Sequence, residues 1–160
     1  MKTRKGFTLI ELLVVVAIMG LLAALAVVAL NNARARARDA RRIADVKQVQ
    51  TALELYFLDQ NEYPATPLEG TFTGNLESLC IDEDGITSGC DTGGTTYMSL
   101  TPVNPSPRND GACTDTNYKY TADTSDSVNL SYHINYCLGS ATGTLIAGTH
   151  VATPAGLSDN

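Results

Sequence analysis

The chain has 160 residues, and its 11 Lys and Arg against 17 Asp and Glu give a net charge of −6. This length allows one modest domain, and a net-acidic chain is a poor nucleic-acid binder by charge alone. One apolar segment near the start takes a large share of the hydrophobic residues. Because the remainder is too small for a large catalytic cleft, these numbers argue against a soluble cytosolic enzyme.

Residues 7–30 form an apolar segment whose only charged side chain is Glu11. As a helix they would be about 36 Å long, enough to cross a hydrocarbon core of about 30 Å. The segment follows three positive charges at residues 2–5, which hold the adjoining helix end in the cytoplasm. We therefore predict a single-pass membrane protein with its N-terminus inside. A cleavable secretory signal with a site among the alanines at 23–26 is an alternative, and so is a plain signal anchor, which leaves Glu11 unexplained.

Glu11 lies only four positions inside the apolar run, and an unpaired charge at the centre of a membrane helix costs about 2.5–3.5 kcal/mol. Residues 5–11, Lys-Gly-Phe-Thr-Leu-Ile-Glu, resemble the prepilin signature of type IV pilins and of type II secretion pseudopilins. The resemblance implies that a membrane aspartyl peptidase cuts after Gly6 and removes a leader of residues 1–6. It also implies that the new N-terminus, Phe7, is N-methylated.

The same resemblance gives Glu11 a role in assembly. Its carboxylate is implied to pair with the N-terminal amine of a neighbouring subunit as a filament grows, and a carboxylate in low dielectric does need a cation or a proton. Gly20 and several alanines allow helix backbones to approach closely. Many family members carry a proline where this chain has Val28, so melting of the helix at that point is left open.

The charges of the chain are unevenly distributed. Nine of the 11 basic residues lie at or before Lys47, and 14 acidic residues accompany Arg108 and Lys119 after it. The later part should therefore be repelled by anionic surfaces. We interpret the basic run at 34–42 as a solvated helix face or a collar that faces lipid phosphates. Nucleic-acid binding is the alternative, although no aromatic side chains interleave the run for base stacking.

The apolar segment is predicted to continue as helix, since no Gly or Pro follows it before Pro64 and apolar residues keep helical spacing through 43–57. This predicts one helix from about residue 8 to about residue 60, with Asn61 and Pro64 as stop signals. Its half at residues 31–62 should be amphipathic and pack under a small sheet. The stretch that ends in Tyr-Pro also resembles the helix-to-head junction of type II secretion major pseudopilins.

The rest of the chain divides into a connector and a sheet. Residues 63–116 contain many Pro and Gly and little periodicity, which predicts a loop-rich αβ connector packed as an irregular lobe. Residues 117–160 alternate in three runs, which predicts three antiparallel strands at 118–122, 128–136 and 144–151 with turns at 123–127 and 139–143. The fold class is therefore α+β, with one long N-terminal helix packed under a small antiparallel β-sheet head, and the resemblance of residues 5–11 implies that it is type IV pilin-like.

Four cysteines, Cys80, Cys90, Cys113 and Cys137, lie in the part predicted to leave the cytoplasm. They fit two disulfides better than free thiols. Of the three possible connectivities, we favour pairing in sequence order. A zinc site built from all four thiolates is the alternative, although the chain has no Cys-x-x-Cys pair.

Other candidate ligands and catalysts are sparse. The acidic stretch at 82–85 has the composition of half a calcium loop without its full spacing, so we expect a solvated acidic turn, no metal and no cofactor, with calcium as the alternative. His133 and His150 are predicted to lie on the surface. No catalytic triad, phosphate loop or zinc-protease motif accompanies them. We therefore expect no enzyme activity.

The sequence as a whole predicts a structural subunit of a type IV pilus filament. It would reside in the cytoplasmic membrane before assembly and afterwards in an extracellular or periplasmic filament. The resemblance implies that its partners are other pilin subunits, the prepilin peptidase and a membrane assembly platform; no direct contact to nucleic acid is expected. A pseudopilin of a type II secretion system is one alternative. A membrane-anchored monomeric binding protein with an acidic head is the other.

Overall fold

A computed structural model of the chain describes residues 6–66, 76–77, 79–90, 93–114, 117–123 and 129–159. They belong to two compact units, Met1–Ala35 and Arg36–Asn160. The described residues form one α-helix followed by two antiparallel sheets. This order confirms the predicted α+β, pilin-like fold class.

Helix α1 runs over Leu9–Gln60, close to its predicted limits, and includes Val28. Its end is marked by Asn61, which has a φ of 60° and donates its backbone N–H to the Phe57 carbonyl at 2.8 Å. Asparagine is one of the few residues that tolerate this left-handed conformation after a helix. Asn61 therefore ends the helix, as predicted, because its backbone adopts the left-handed conformation.

The part of α1 in the second unit buries one face. The buried apolar residues recur at helical spacing, as predicted, and they are Val46, Val49, Ala52, Leu53 and Tyr56. Ile43 and Phe57 pack at the edges of this face. Each large side chain that is fully buried contributes about 1.5–3 kcal/mol relative to exposure. Packing against this face therefore holds the rest of the second unit to the part of α1 that belongs to the same unit.

The first sheet lies in the connector, and the prediction of an irregular lobe was wrong at this point. Strands β1 (Cys80–Asp82), β2 (Gly85–Thr87) and β3 (Thr96–Met98) pair antiparallel in the order β2-β1-β3. All three residues of the central strand are buried. Strands of three residues are too short to show an alternation in sequence, which is why the pattern gave no sign of them.

The second sheet has four strands in sequential antiparallel order: β4 (Lys119–Asp123), β5 (Ser131–Leu138), β6 (Gly148–Thr153) and β7 (Gly156–Asp159). Three strands were predicted, so β7 is an addition; it pairs with β6 across a tight turn at 154–155. The third predicted strand also begins later, because residues 142–145 form only an isolated bridge. Of the predicted turn at 123–127, residues 124–127 lie outside the described residues, as does Val128.

The core lies between the buried face of α1 and the inner face of the second sheet. Tyr120, Tyr132 and Ile134 are fully buried there, and the rings of Tyr63 and Tyr132 meet edge to face with centroids 4.7 Å apart. The Tyr120 hydroxyl donates to the Pro64 carbonyl at 2.6 Å. This bond satisfies a buried polar group and fixes the chain just after the helix.

Two disulfides close the connector, pairing Cys80 with Cys90 and Cys113 with Cys137. This is the pairing in sequence order, and no cysteine remains free for a zinc site. Beside the second disulfide, a Cβ at Gly111 would overlap the Gly139 carbonyl oxygen. The segment before β4 therefore lies directly against the end of β5.

Replacing Cys113 and Cys137 together by serine should lower the free energy of unfolding by about 3 kcal/mol, because the crosslink restricts the unfolded chain. The loss of unfolding free energy in the Cys80 and Cys90 double variant should be smaller, because its disulfide spans 10 residues rather than 24. The two losses should differ by less than about 1 kcal/mol. Urea unfolding of the full chain in detergent, followed by tyrosine fluorescence, measures both. An equal or larger loss from the shorter loop would contradict the entropic argument.

Candidate assembly site

The start of α1 carries a capping box made by Thr8 and Glu11. The Thr8 hydroxyl accepts the Glu11 backbone N–H at 3.3 Å, while the Glu11 carboxylate accepts the Thr8 backbone N–H at 2.9 Å and the Thr8 hydroxyl at 2.8 Å. This reciprocal pattern satisfies orphan donors of the first turn. Glu11 thus has a partner within its own chain, which the sequence analysis missed although the Thr-x-x-Glu spacing is a known signal for it.

The capping box occupies only part of the Glu11 carboxylate. Both bonds from Thr8 reach the same oxygen, Oε2, and no hydrogen bond to Oε1 is formed by the part of the chain that the structure describes. Thr8 is neutral, so it orients the carboxylate without cancelling its charge. A cation could therefore bind Oε1 while the cap stays in place.

The helical surface after this cap is apolar and uncovered within the first unit. Every large apolar side chain from Phe7 to Leu30 is exposed, with exposed fractions between 43% and 78%. By length and composition α1 includes a stretch able to cross a membrane. Lone exposed apolar residues are normal, but a continuous patch of this extent marks a surface that lipid or protein must cover.

The predicted processing site lies just before the helix. Phe7 is 77% exposed, and among the described residues no atom beyond the chain neighbours lies within 4 Å of a Cβ built on Gly6. The other leader residues, 1–5, lie outside the described residues. Cleavage after Gly6, methylation of Phe7 and the role of Glu11 in assembly stay predictions.

A buried polar cluster joins α1 to the head within the second unit. Asp39 and Arg42, one helical turn apart, are both fully buried, and Arg42 Nη1 donates to Asp39 Oδ1 at 2.7 Å. Arg42 Nε donates to Asn104 at 2.9 Å. Asp39 also accepts the backbone N–H groups of Gly139 and Ser140 at 2.8 and 2.9 Å. The pair therefore connects the helix to the connector and to the loop after β5.

The basic run at 34–42 is thus only partly a solvated face. Arg42 is buried as described, and Arg38 Nε lies 2.6 Å from the Asp110 carboxylate, whereas the Arg41 side chain stays 68% exposed. The reason is helical geometry: Arg38 and Arg42 share the face that meets the acidic connector. The interpretation of the whole run as a solvated or lipid-facing surface was wrong for these two residues.

His133 is exposed as predicted, but the prediction for His150 was wrong. His150 is fully buried on β6, with Nε2 2.8 Å from the Ile146 carbonyl oxygen and Nδ1 3.0 Å from the Asp159 carboxylate. Its ring lies beside Tyr136, with centroids 5.4 Å apart. The sequence contained a signal for this burial. His150 and Ala152 are two residues apart on β6, so their side chains lie on the same, inner face of the sheet.

The acidic stretch at 82–85 forms the turn between β1 and β2. Asp82 is buried, and its carboxylate accepts the Asp84 backbone N–H at 3.1 Å. The Glu83 carboxylate accepts the Thr95 backbone N–H at 3.3 Å. Asp82 lies near Cys80 and Cys90, whose sulfurs are already joined in a disulfide. The prediction of a solvated acidic turn was therefore wrong for Asp82, whereas Glu83 and Asp84 are exposed. Calcium binding at this turn stays the alternative prediction.

The comparisons with known proteins agree with this anatomy. Residues 1–27 match the family described as "Prokaryotic N-terminal methylation motif". The chain is 41% identical over 88 residues to a "Fimbrial protein" of Pseudomonas aeruginosa, which covers 53% of this chain and 57% of that protein. It is 35% identical over 109 residues to "Type II secretion system core protein G" of the same species, covering 65% of this chain and 69% of that protein.

A third relative is the "Type IV major fimbrial protein FimA" of Dichelobacter nodosus, 41% identical over 83 residues, with 47% of this chain and 53% of that protein covered. No solved structure matches the chain. The chain spans about half the length of the curated relatives it matches first. A methylation motif, an uncovered apolar helix and a small antiparallel head define a pilin-like subunit. The chain belongs to the family of type IV pilins and type II secretion pseudopilins.

The polar cluster predicts how stability changes with pH. Burial alone would raise the pKa of Asp39, but the hydrogen bonds from Ser140, Gly139 and Arg42 lower it below its ordinary value. A carboxyl whose pKa is lower in the folded chain than in the unfolded chain stabilises the fold at pH values above its unfolded pKa, which is near 4. This stabilisation is lost as the pH falls through the pKa of the folded state. Unfolding of the full chain should therefore become easier below about pH 4. The Asp39→Asn variant should lose about 3–5 kcal/mol at neutral pH, because it unbalances a buried ion pair, and show a flatter acid profile.

Asp45→Asn is the matched control. Burial raises the pKa of Asp45 more than the Tyr118 hydroxyl and Arg41 lower it, so this group stabilises the folded state as the pH falls. Its removal should steepen the acid loss instead of flattening it. Urea unfolding at a series of pH values between 3 and 7, spanning the ordinary carboxyl pKa of about 4, measures the slopes. Equal slopes in both variants would contradict the assignment.

Proposed function

We propose that the chain is a structural subunit of a type IV pilus filament that is processed after Gly6, N-methylated on Phe7 and polymerised through its N-terminal helix. The role is structural, without catalysis or a resident cofactor. Family membership supports a subunit of this kind, since the named relatives include fimbrial proteins.

The observation that carries the proposal is the apolar surface of residues 7–30. Its side chains are uncovered within the first unit, so lipid must cover them before assembly and other copies of the helix afterwards. Small residues such as Gly20 and Ala24 reduce the distance at which two such helices can pack. A filament buries this surface repeatedly, whereas a monomeric anchored protein would leave it in lipid permanently.

Glu11 gives that packing a direction. Its Oε2 caps its own helix through Thr8, and the remaining charge needs a cation at similar depth. Cleavage after Gly6 would create an amine on Phe7, and the amine of a neighbouring subunit can supply this cation. The pair would favour one axial offset between neighbouring helices, because a mismatch leaves both charges without partners.

The proposed topology places the N-terminus in the cytoplasm and the head outside. The positive charges at residues 2–5 favour that orientation, and the two disulfides fit an oxidising compartment. The partners are other pilin subunits, a prepilin peptidase and a membrane assembly platform. The inner membrane holds the chain before assembly, and the filament then lies outside the cell or in the periplasm.

A type II secretion pseudopilin is the second candidate. The relative named core protein G matches over 65% of this chain, a larger share than the 53% covered by the fimbrial protein of Pseudomonas aeruginosa. A pseudopilin would undergo the same processing but remain in short periplasmic assemblies. The two candidates therefore differ in where the processed protein is found.

Mass spectrometry of the N-terminal peptide tests processing. In cells that have the peptidase, the chain should begin at N-methylated Phe7 and be enriched in the fraction sheared from the cell surface. Processed chain found only with membranes would favour the pseudopilin. Persistence of residues 1–6 would overturn both and favour the anchored monomeric binding protein.

Two variants separate the charge of Glu11 from its capping bond. Glu11→Gln keeps an acceptor for Thr8 but removes the charge, so it should abolish sheared filaments while membrane insertion is retained. Thr8→Val removes both bonds of the Thr8 hydroxyl, at a cost of about 1 kcal/mol, but keeps the bond from the backbone N–H of residue 8 and the charge of Glu11. Filament yield should therefore fall far less. Immunoblots of sheared and membrane fractions measure both. Wild-type yield from Glu11→Gln would show that charge pairing does not drive assembly.

A further inference from the structure

The solvent-facing side of the second sheet contains a small cavity. It has a volume of about 280 Å³ and is lined by Asn117, Lys119, Asn135, Tyr136 and Thr149. Lys119 on β4 lies directly opposite Asn135 on β5, so both side chains share one face of the sheet. Thr149 on β6 borders the same space. Three neighbouring strands thus contribute polar groups to one cavity.

Lys119 is one of only two basic residues in the acidic part of the chain after Lys47. Only Arg108 and Lys119 are basic after Lys47, and Arg108 is occupied: its Nη2 donates to Glu77 at 2.9 Å and its Nη1 donates to Asn117. No carboxylate of the described residues lies within 4.0 Å of the Lys119 ammonium. Lys119 is therefore a cation without a counter-ion in the described part of an acidic head.

The neighbouring groups complement that charge. The carbonyl oxygen of the Asn117 side chain accepts from Arg108, which leaves its amide N–H groups as donors. Asn135 and Thr149 each offer both a donor and an acceptor. No acidic side chain is among the described residues that line the cavity. A ligand there should present one carboxylate to Lys119 and hydroxyl groups to the amides and the hydroxyl.

We propose that this cavity binds a single acidic sugar, a hexuronate, through its carboxylate and ring hydroxyls. The volume is near the lower end of ligand sites, which begin at roughly 300 Å³, so it suits one sugar ring rather than an extended chain. The strongly acidic surroundings also disfavour a polyanion. The ligand is either the free sugar or the terminal residue of an otherwise neutral glycan. This site is independent of filament assembly.

The test is a titration of the ¹⁵N-labelled full chain in detergent micelles with glucuronate. Shifts should saturate and concentrate on the backbone amides of Lys119, Asn135 and Thr149. Glucose, which lacks the carboxylate, should bind at least about tenfold more weakly, the value of one charge-assisted bond. Acetate, which keeps the carboxylate but lacks the ring hydroxyls, should also bind at least about tenfold more weakly, because it loses several neutral hydrogen bonds. Methyl glucuronide, a mimic of a chain end, should bind like the free acid if the natural ligand is a terminal residue and fail to bind if it is the free sugar.

Lys119→Gln should weaken glucuronate binding by about tenfold or more. Lys47→Gln, which removes an exposed lysine on α1, should leave it unchanged. Asn135→Ala gives a second variant that alters the cavity without changing charge and should also weaken binding. Unsaturable shifts, equal affinity for acetate or glucose, or an equal effect of the two lysine variants would overturn the proposal.

Discussion

The apolar surface of residues 7–30 is the constraint on which the other features depend. The side chains of this stretch are exposed within the first unit, and their burial requires lipid or other copies of the helix. A charged residue in such a surface must be oriented and eventually paired. The cap on Glu11, the small residues of the helix and the placement of the basic residues are all consistent with a surface that exchanges lipid for protein.

The second unit holds its stretch of helix by a different kind of interaction. An apolar face from Val46 to Tyr56 supplies the hydrophobic packing, and the Asp39 and Arg42 pair supplies a buried polar joint. Removing one member of such a pair leaves an uncompensated buried charge. The Cys113 disulfide and the close contact of Gly111 with Gly139 hold the two loops that meet this joint.

The sequence predicted what depends on long patterns and missed what depends on local partners. The helix and its apolar face follow from 3.6-residue periodicity over many turns, and the strands β4 and β5 follow from alternation. The strands of the connector sheet are three residues long and carry no such signal. The burial of Arg42 could not be read from residue type, because it depends on an acceptor that is distant in sequence, Asn104. The burial of His150 did have a signal in its alternation with Ala152 on β6.

Proteolysis and charge pairing are physically linked at the start of α1. The leader carries three positive side chains, each of which resists movement of this end out of the cytoplasm. The proposed cut after Gly6 would remove all three and leave one amine on Phe7, close to the cap formed by Thr8 and Glu11. One reaction would thus lower the cost of extracting the helix and create the cation that Glu11 lacks. Because the cap uses only Oε2, a neighbouring amine could bind Oε1 without unfolding the first turn.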